Sequence, residues 1–183
     1  PKYGQGDATA DSMMSRLCAD ISRAVTSHRT RHGGRGKVVI LTFIWAPNAG
    51  RMLGATAYGQ FAGVPVAQGV TPQSCAMTKG LTTAMNSCTG LPFEMFNGGA
   101  STMWDFDPKG ITAELITAYF RTFFENGGQI FQGNAVDAET LRRAMDSPGD
   151  YPNLIVRVGG YSARFANLPD KLKRDIIERY RHH

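Results

Sequence analysis

The chain has 183 residues, 42% of them hydrophobic and 19% charged, with a formal net charge of +5. That balance excludes an intrinsically disordered segment and is enough to bury one core. It contains no signal peptide, no transit sequence and no apolar run long enough to span a bilayer. A cytoplasmic protein is expected, and the start at Pro1 in place of Met implies that its N-terminal part is missing.

The positive charge gathers in His28-Arg29-Thr30-Arg31-His32-Gly33-Gly34-Arg35-Gly36-Lys37 and near the C-terminus. No aromatic residue interleaves with those charges to stack on bases, so a solvated loop is expected and no nucleic-acid partner. The three cysteines, Cys18, Cys75 and Cys88, are too few and too far apart for a metal cluster or a disulfide framework. None has a neighbouring His to activate it, and all three are expected to be reduced structural thiols.

Met14, Leu17, Cys18, Ile21, Ala24 and Val25 recur at helical spacing and predict an amphipathic helix over roughly residues 8 to 28. Val38 to Trp45 is a nearly continuous apolar, β-branched run that predicts a strand buried on both faces, ended by Pro47-Asn48. Its faces would be Ile40, Thr42 and Ile44 on one side and Leu41, Phe43 and Trp45 on the other. Residues 46 to 105 read as long irregular loops serving a site, interrupted by a short helix from Leu81 to Ser87.

A second helix follows with Ile111, Leu115, Ile116, Tyr119, Phe120, Phe123 and Phe124 on one face, closed by Asn126-Gly127-Gly128. Gln129 to Gln132 is expected as a short strand, and Asp137 as the cap of a helix running through Met145. A terminal helix is read from Leu168, Leu172, Ile176 and Tyr180, with Lys171, Lys173, Arg174, Glu178 and Arg179 on its solvated face.

The densest chemical signal is Arg157-Val158-Gly159-Gly160-Tyr161-Ser162-Ala163-Arg164-Phe165, fed by Leu154-Ile155-Val156. Glycine can store a carbon radical: once an α-hydrogen leaves, the carbon flattens and shares its electron with the amide on either side. A β-carbon would crowd that planar state, and glycine also reaches backbone angles closed to other residues. This stretch resembles the radical-bearing loop of the glycyl radical enzymes, and the resemblance makes Gly160, not Gly159, the catalytic radical residue.

Further stretches resemble landmarks of the same family: Pro1-Lys2-Tyr3-Gly4, Gly54 to Pro65, Gly69 to Pro72, Ala84 to Ser87 and Gly127 to Gln132. The resemblance implies an α/β fold, the C-terminal part of a ten-stranded α/β barrel over residues 1–108 followed by a glycyl radical domain over 109–183. One departure is Tyr58-Gly59-Gln60, where most relatives carry Asp-Gly-Arg; it argues against the diol dehydratase and choline lyase branches. Thr71 to Leu81, Asn97 to Asp105, the Gly-Gly loop and the Arg-Tyr-Arg-His-His ending look most like the fumarate-adding branch, the large subunit of benzylsuccinate synthase and its alkylsuccinate relatives.

The resemblance further implies an activating enzyme that uses S-adenosylmethionine and an iron-sulfur cluster to remove hydrogen from Gly160, with no cofactor bound here for catalysis. The glycyl radical would take hydrogen from an upstream cysteine, and its thiyl radical would act on a hydrocarbon, toluene or an alkane, for addition to fumarate. The thiyl cysteine and the fumarate-binding arginine are expected upstream; accessory subunits and homodimerisation are possible partners, a membrane is not. Other reactions compatible with the same Gly160 are decarboxylation, dehydration and acyl cleavage, or a stand-alone radical repair subunit. Arg157 and Arg164 are expected to fix the loop's ends by hydrogen bonds to backbone carbonyls, and Trp104 and Met103 to pack the core or close a site.

Overall fold

The computed structural model describes residues 1–182, without the side chains of Phe43, Arg181 and His182. Of the ending noted above, His183 lies outside the described residues. Helix α1 (Ala8–Ser27) begins where the Asp7 carboxylate accepts from the backbone N–H groups of Thr9 and Ala10. Cys18 faces the core and Met14 and Val25 pack against it, whereas Leu17 and Ile21 are exposed. The basic segment that follows forms an exposed hairpin closed by an Arg29–Arg35 bridge.

The expected strand from Val38 to Trp45 is much shorter. Strand β1 is only Val39–Ile40, and Phe43–Trp45 turns as a 3₁₀ segment into helix α2 (Ala46–Met52). Pro47 sits in the first turn of α2, where its missing N–H is not needed, so it opens a helix where it was expected to end a strand. Ile44 and Trp45 are consequently exposed, and the alternation of two strand faces does not extend over this run.

The larger correction concerns residues 46 to 105. Helix α3 (Leu81–Thr89) is present as expected, but Gly99–Asp105 is a seven-residue strand, β2, and it is the central one. Its Gly, Ser and Thr content concealed it, because strand propensity reflects packing on a pleated surface more than residue type. Ala100 to Asp105 are all buried. Strand β3 (Ile130–Asn134) follows helix α4 (Ala113–Glu125), and the sheet order is β1-β2-β3, all parallel. The helices between parallel strands are the crossovers such a sheet requires.

β1 pairs only with Gly99 and Ala100 of β2. Beyond it, the open edge of β2 is taken by the Gly69 to Thr71 turn: Val70 N–H donates to the Ser101 carbonyl at 2.9 Å, and Met103 N–H to Thr71 Oγ1 at 2.7 Å. The Tyr3 hydroxyl donates to the Val70 carbonyl at 2.8 Å, so the N-terminal landmark and this turn meet. Gly69 has φ +61°, and a β-carbon there would stand 2.0 Å from the Ser101 carbonyl oxygen.

Helix α4 ends as the sequence predicts, with Gly128 N–H returning to the Phe123 carbonyl and Gly127 N–H to Phe124. Tyr119 and Phe123 are buried, and Phe123 meets Phe93 and Phe131 edge-on. Trp104 is fully buried in the same core, while Met103 faces a cleft. This first core draws on residues up to Phe131.

A second core is built from helix α5 (Ala138–Asp146), the antiparallel pair β4 (Ile155–Arg157) and β5 (Ser162–Arg164), and helix α6 (Asp170–Glu178) with its 3₁₀ extension Arg179–His182. Leu141, Val156, Val158, Phe165, Leu168, Ile176 and Tyr180 fill it. Two residues read as solvated are not: Lys173 and Arg179 are buried. Among the described residues no helix is long and apolar enough to cross a membrane.

Asp137 caps α5, its carboxylate accepting from Thr140 N–H at 2.8 Å and from the Thr140 hydroxyl. Those two hydrogen bonds, the hydroxyl first, hold its carboxyl below the ordinary value of 3.8. A depressed carboxyl contributes stability above its unfolded pKa and loses it as pH falls through the folded one. Asp137→Ala should therefore cost about 1 kcal/mol near neutral pH, with the difference shrinking below about pH 4 in denaturant titrations. Gly69→Ala combines a left-handed backbone with a collision against β2 and should cost at least about 3 kcal/mol by the same measurement.

Candidate functional site

The loop between β4 and β5 is a tight hairpin in which Val158 N–H donates to the Tyr161 carbonyl at 2.9 Å, leaving Gly159 and Gly160 as its two turn residues. Gly160, the second of them, has φ +81°, a backbone region that favours glycine. Val158 and Gly159 are buried, whereas Gly160 and Tyr161 are exposed at the tip.

Strand β3 holds this hairpin by two carboxamides that its period of two places on one face. Asn134 brackets the backbone of Arg157: Oδ1 accepts Arg157 N–H at 2.5 Å and Nδ2 donates to the Arg157 carbonyl at 3.1 Å. The same Nδ2 donates to Asp105 of β2 at 2.7 Å. Gln132, only 7% exposed, accepts Gly160 N–H at 2.6 Å and Arg157 Nε at 2.9 Å on a single oxygen, Oε1.

Arg179 completes the support from the opposite side. Its guanidinium is 8% exposed, pairs with Asp175 at 2.5 Å, and donates to the carbonyls of Val158 at 2.8 Å and Arg157 at 3.4 Å. A buried cation of this kind stands only with its charge partnered and its donors used. The carbonyl-binding role expected of Arg157 and Arg164 thus belongs to Arg179. Arg157 instead grips the side chain of Gln132, and Arg164 is exposed on β5.

Gln132, Asn134, Asp175 and Arg179 were not singled out in the sequence. Gln132 and Asn134 carried a signal, two carboxamides two apart in a short strand; Arg179 carried none, because its helical position matched a solvated face. Met103, Asp105, Gln73, Cys75 and Arg179 line a cleft between the 59–77 segment and the end of α6. Cys18 and Cys88 are buried in the first core, and burial pushes the Cys88 thiol up to about 12, which makes it unreactive. Trp104 packs and does not face the cleft.

Comparison with known proteins gives this geometry a context. A trans-4-hydroxy-L-proline dehydratase of Clostridioides difficile is 32% identical over 183 residues, 98% of this chain and 23% of the relative. The crystal structure of that organism's hydroxyproline dehydratase with its substrate matches with a TM-score of 0.88 over 97% of this chain and 23% of that one. A structure concerned with 1,2-propanediol dehydration in Roseburia inulinivorans matches at 0.90 with 31% identity, and the glycerol-bound B12-independent glycerol dehydratase of Clostridium butyricum at 0.85 with 28%; each is covered over 23% of its length. The chain thus spans about a quarter of these relatives. They are dehydratases, so the leaning toward the fumarate-adding branch, and away from the diol dehydratases on the strength of Tyr58-Gly59-Gln60, is not supported. The family model for the glycine radical matches residues 66–166, more than half the chain and including the whole hairpin, and on this match the chain belongs to the glycyl radical enzyme family.

Proposed function

We propose that this chain is the radical-bearing part of a glycyl radical lyase and that Gly160 stores the radical. The observation that carries the reading is Gly160 itself: a glycine at the exposed tip of a two-residue turn, with its N–H held by a buried carboxamide. Asn134 and Arg179 hold the base of the turn in place. The activating enzyme, using S-adenosylmethionine and an iron-sulfur cluster, removes one hydrogen atom and leaves the electron on the α-carbon.

The three parallel strands with their crossover helices fit a portion of a ten-stranded α/β barrel. The division into barrel portion, 1–108, and radical domain, 109–183, belongs to the same proposal; the second core, from Leu141 onward, gives the radical loop packing of its own. Cys18 and Cys88 lie in the first core and Cys75 lines the cleft that Arg179 also lines; on the family resemblance the thiyl cysteine and the substrate-binding residues belong to another part of the complete protein.

For the reaction, the dehydratase relatives favour elimination of water from a hydroxylated substrate over addition of a hydrocarbon to fumarate. In such a reaction a thiyl radical takes hydrogen from the carbon next to the one whose hydroxyl departs. That hydroxyl leaves as water by taking a proton from an acidic group of the complete protein, and the cysteine then returns its hydrogen to the product radical.

The full reading frame, expressed without oxygen together with its activating enzyme, should give a doublet in the electron paramagnetic resonance spectrum. Air should abolish it with backbone cleavage at Gly160, and Gly160→Ala should show neither; an activated preparation with no doublet and no cleavage refutes the radical reading. Incubation with diols and hydroxyproline, against toluene plus fumarate, then separates the reactions: loss of water supports the dehydratase reading, and a substituted succinate overturns it.

A further inference from the structure

Three of the polar side chains around the hairpin hold it, and one of them reaches Gly160. Asn134 fixes Arg157, at the end of β4, and Arg179 binds the carbonyls of Arg157 and Val158. Gln132 alone among these three reaches the backbone of Gly160, through its N–H. That N–H belongs to one of the two amides over which a radical on the α-carbon would spread.

The orientation of the carboxamide is determined by its donors. Arg157 Nε and Gly160 N–H both point at the same end of Gln132, and two donors require an oxygen there; a flipped amide would set its NH₂ against both. Each lone pair of Oε1 then has one donor, and the guanidinium keeps the side chain from turning away. When the α-carbon flattens, the amide nitrogen gives electron density to it, and its N–H becomes a better donor. A fixed acceptor at 2.6 Å therefore stabilises the radical more than the closed-shell glycine.

We propose that Gln132 is a positioning residue for the radical: its Oε1 anchors the Gly160 amide, with Arg157 locking the carboxamide in place. This rests on the reading of Gly160 as the radical residue. The test compares wild type, Gln132→Met and Gln132→Glu in the full-length protein with its activating enzyme, with folding checked by thermal unfolding. Gln132→Met keeps the length of the side chain and removes the acceptor; Gln132→Glu keeps an accepting oxygen for both donors.

The anaerobic half-life and yield of the doublet should fall about tenfold in Gln132→Met, the scale of one intramolecular hydrogen bond, and stay within about threefold of wild type in Gln132→Glu. Rescue by Glu separates this role from mere packing, which either substitution would disturb. A Gln132→Met protein with wild-type half-life and yield, or a Gln132→Glu protein as impaired as Gln132→Met, overturns the role while leaving the radical reading intact. A wild type that never shows the doublet overturns both. If Gln132→Met does not fold, Gln132→Glu decides alone: a retained doublet supports the anchor and a lost one refutes it.

Discussion

The structure turns on one junction: the edge of a parallel sheet is joined to an antiparallel hairpin by side-chain carboxamides, not by a backbone ladder. β3 has β2 on one side, and on the other it meets Arg157 through Asn134, whose Oδ1 and Nδ2 imitate the acceptor and donor of a neighbouring strand. A backbone pair would have required β4 to lie parallel or antiparallel in register. A carboxamide of the right length lets the hairpin meet the sheet edge at its own angle, with the polar groups of both still satisfied.

Because Asn134 also donates to Asp105, the tie extends into the central strand. Arg179 then approaches from α6 and neutralises the carbonyls that the turn leaves without strand partners, with Asp175 balancing its charge. The arrangement concentrates positive charge at the carbonyl side of the turn and an acceptor at the N–H of Gly160. Removing Asp175 would take a carboxylate partner from a buried guanidinium, so the pair is better understood as a fixed mount for the loop than as a source of net stability.

How much of this was legible follows from the physics of each element. The amphipathic helices, the Asp137 cap and the Gly127-Gly128 ending depend on local spacing and local hydrogen bonds, which a sequence displays. β2 was not legible, because what makes Gly99–Asp105 a strand is burial between two neighbours far away in the chain, and its small polar residues read locally as a loop. The run at Val38 misled for the opposite reason: its apolar residues were genuine, but Pro47 marked a helix start. Gly160 was legible as a candidate because the loop around it resembles the family's radical-bearing loop, whose chemistry admits only glycine. Its supports were not, since any Gln, Asn or Arg can stand at a surface, and only the fold shows that Gln132 and Arg179 are buried on the loop.

The same distinction governs what the relatives imply about the reaction. The part of the protein in hand carries the sheet edge, the hairpin and the α6 mount, and on the proposed reading each of these concerns the making and keeping of a radical on glycine. That task is common to every reaction such a radical can start. Likeness over this quarter of the relatives' length therefore speaks directly to the radical and only through kinship to the substrate.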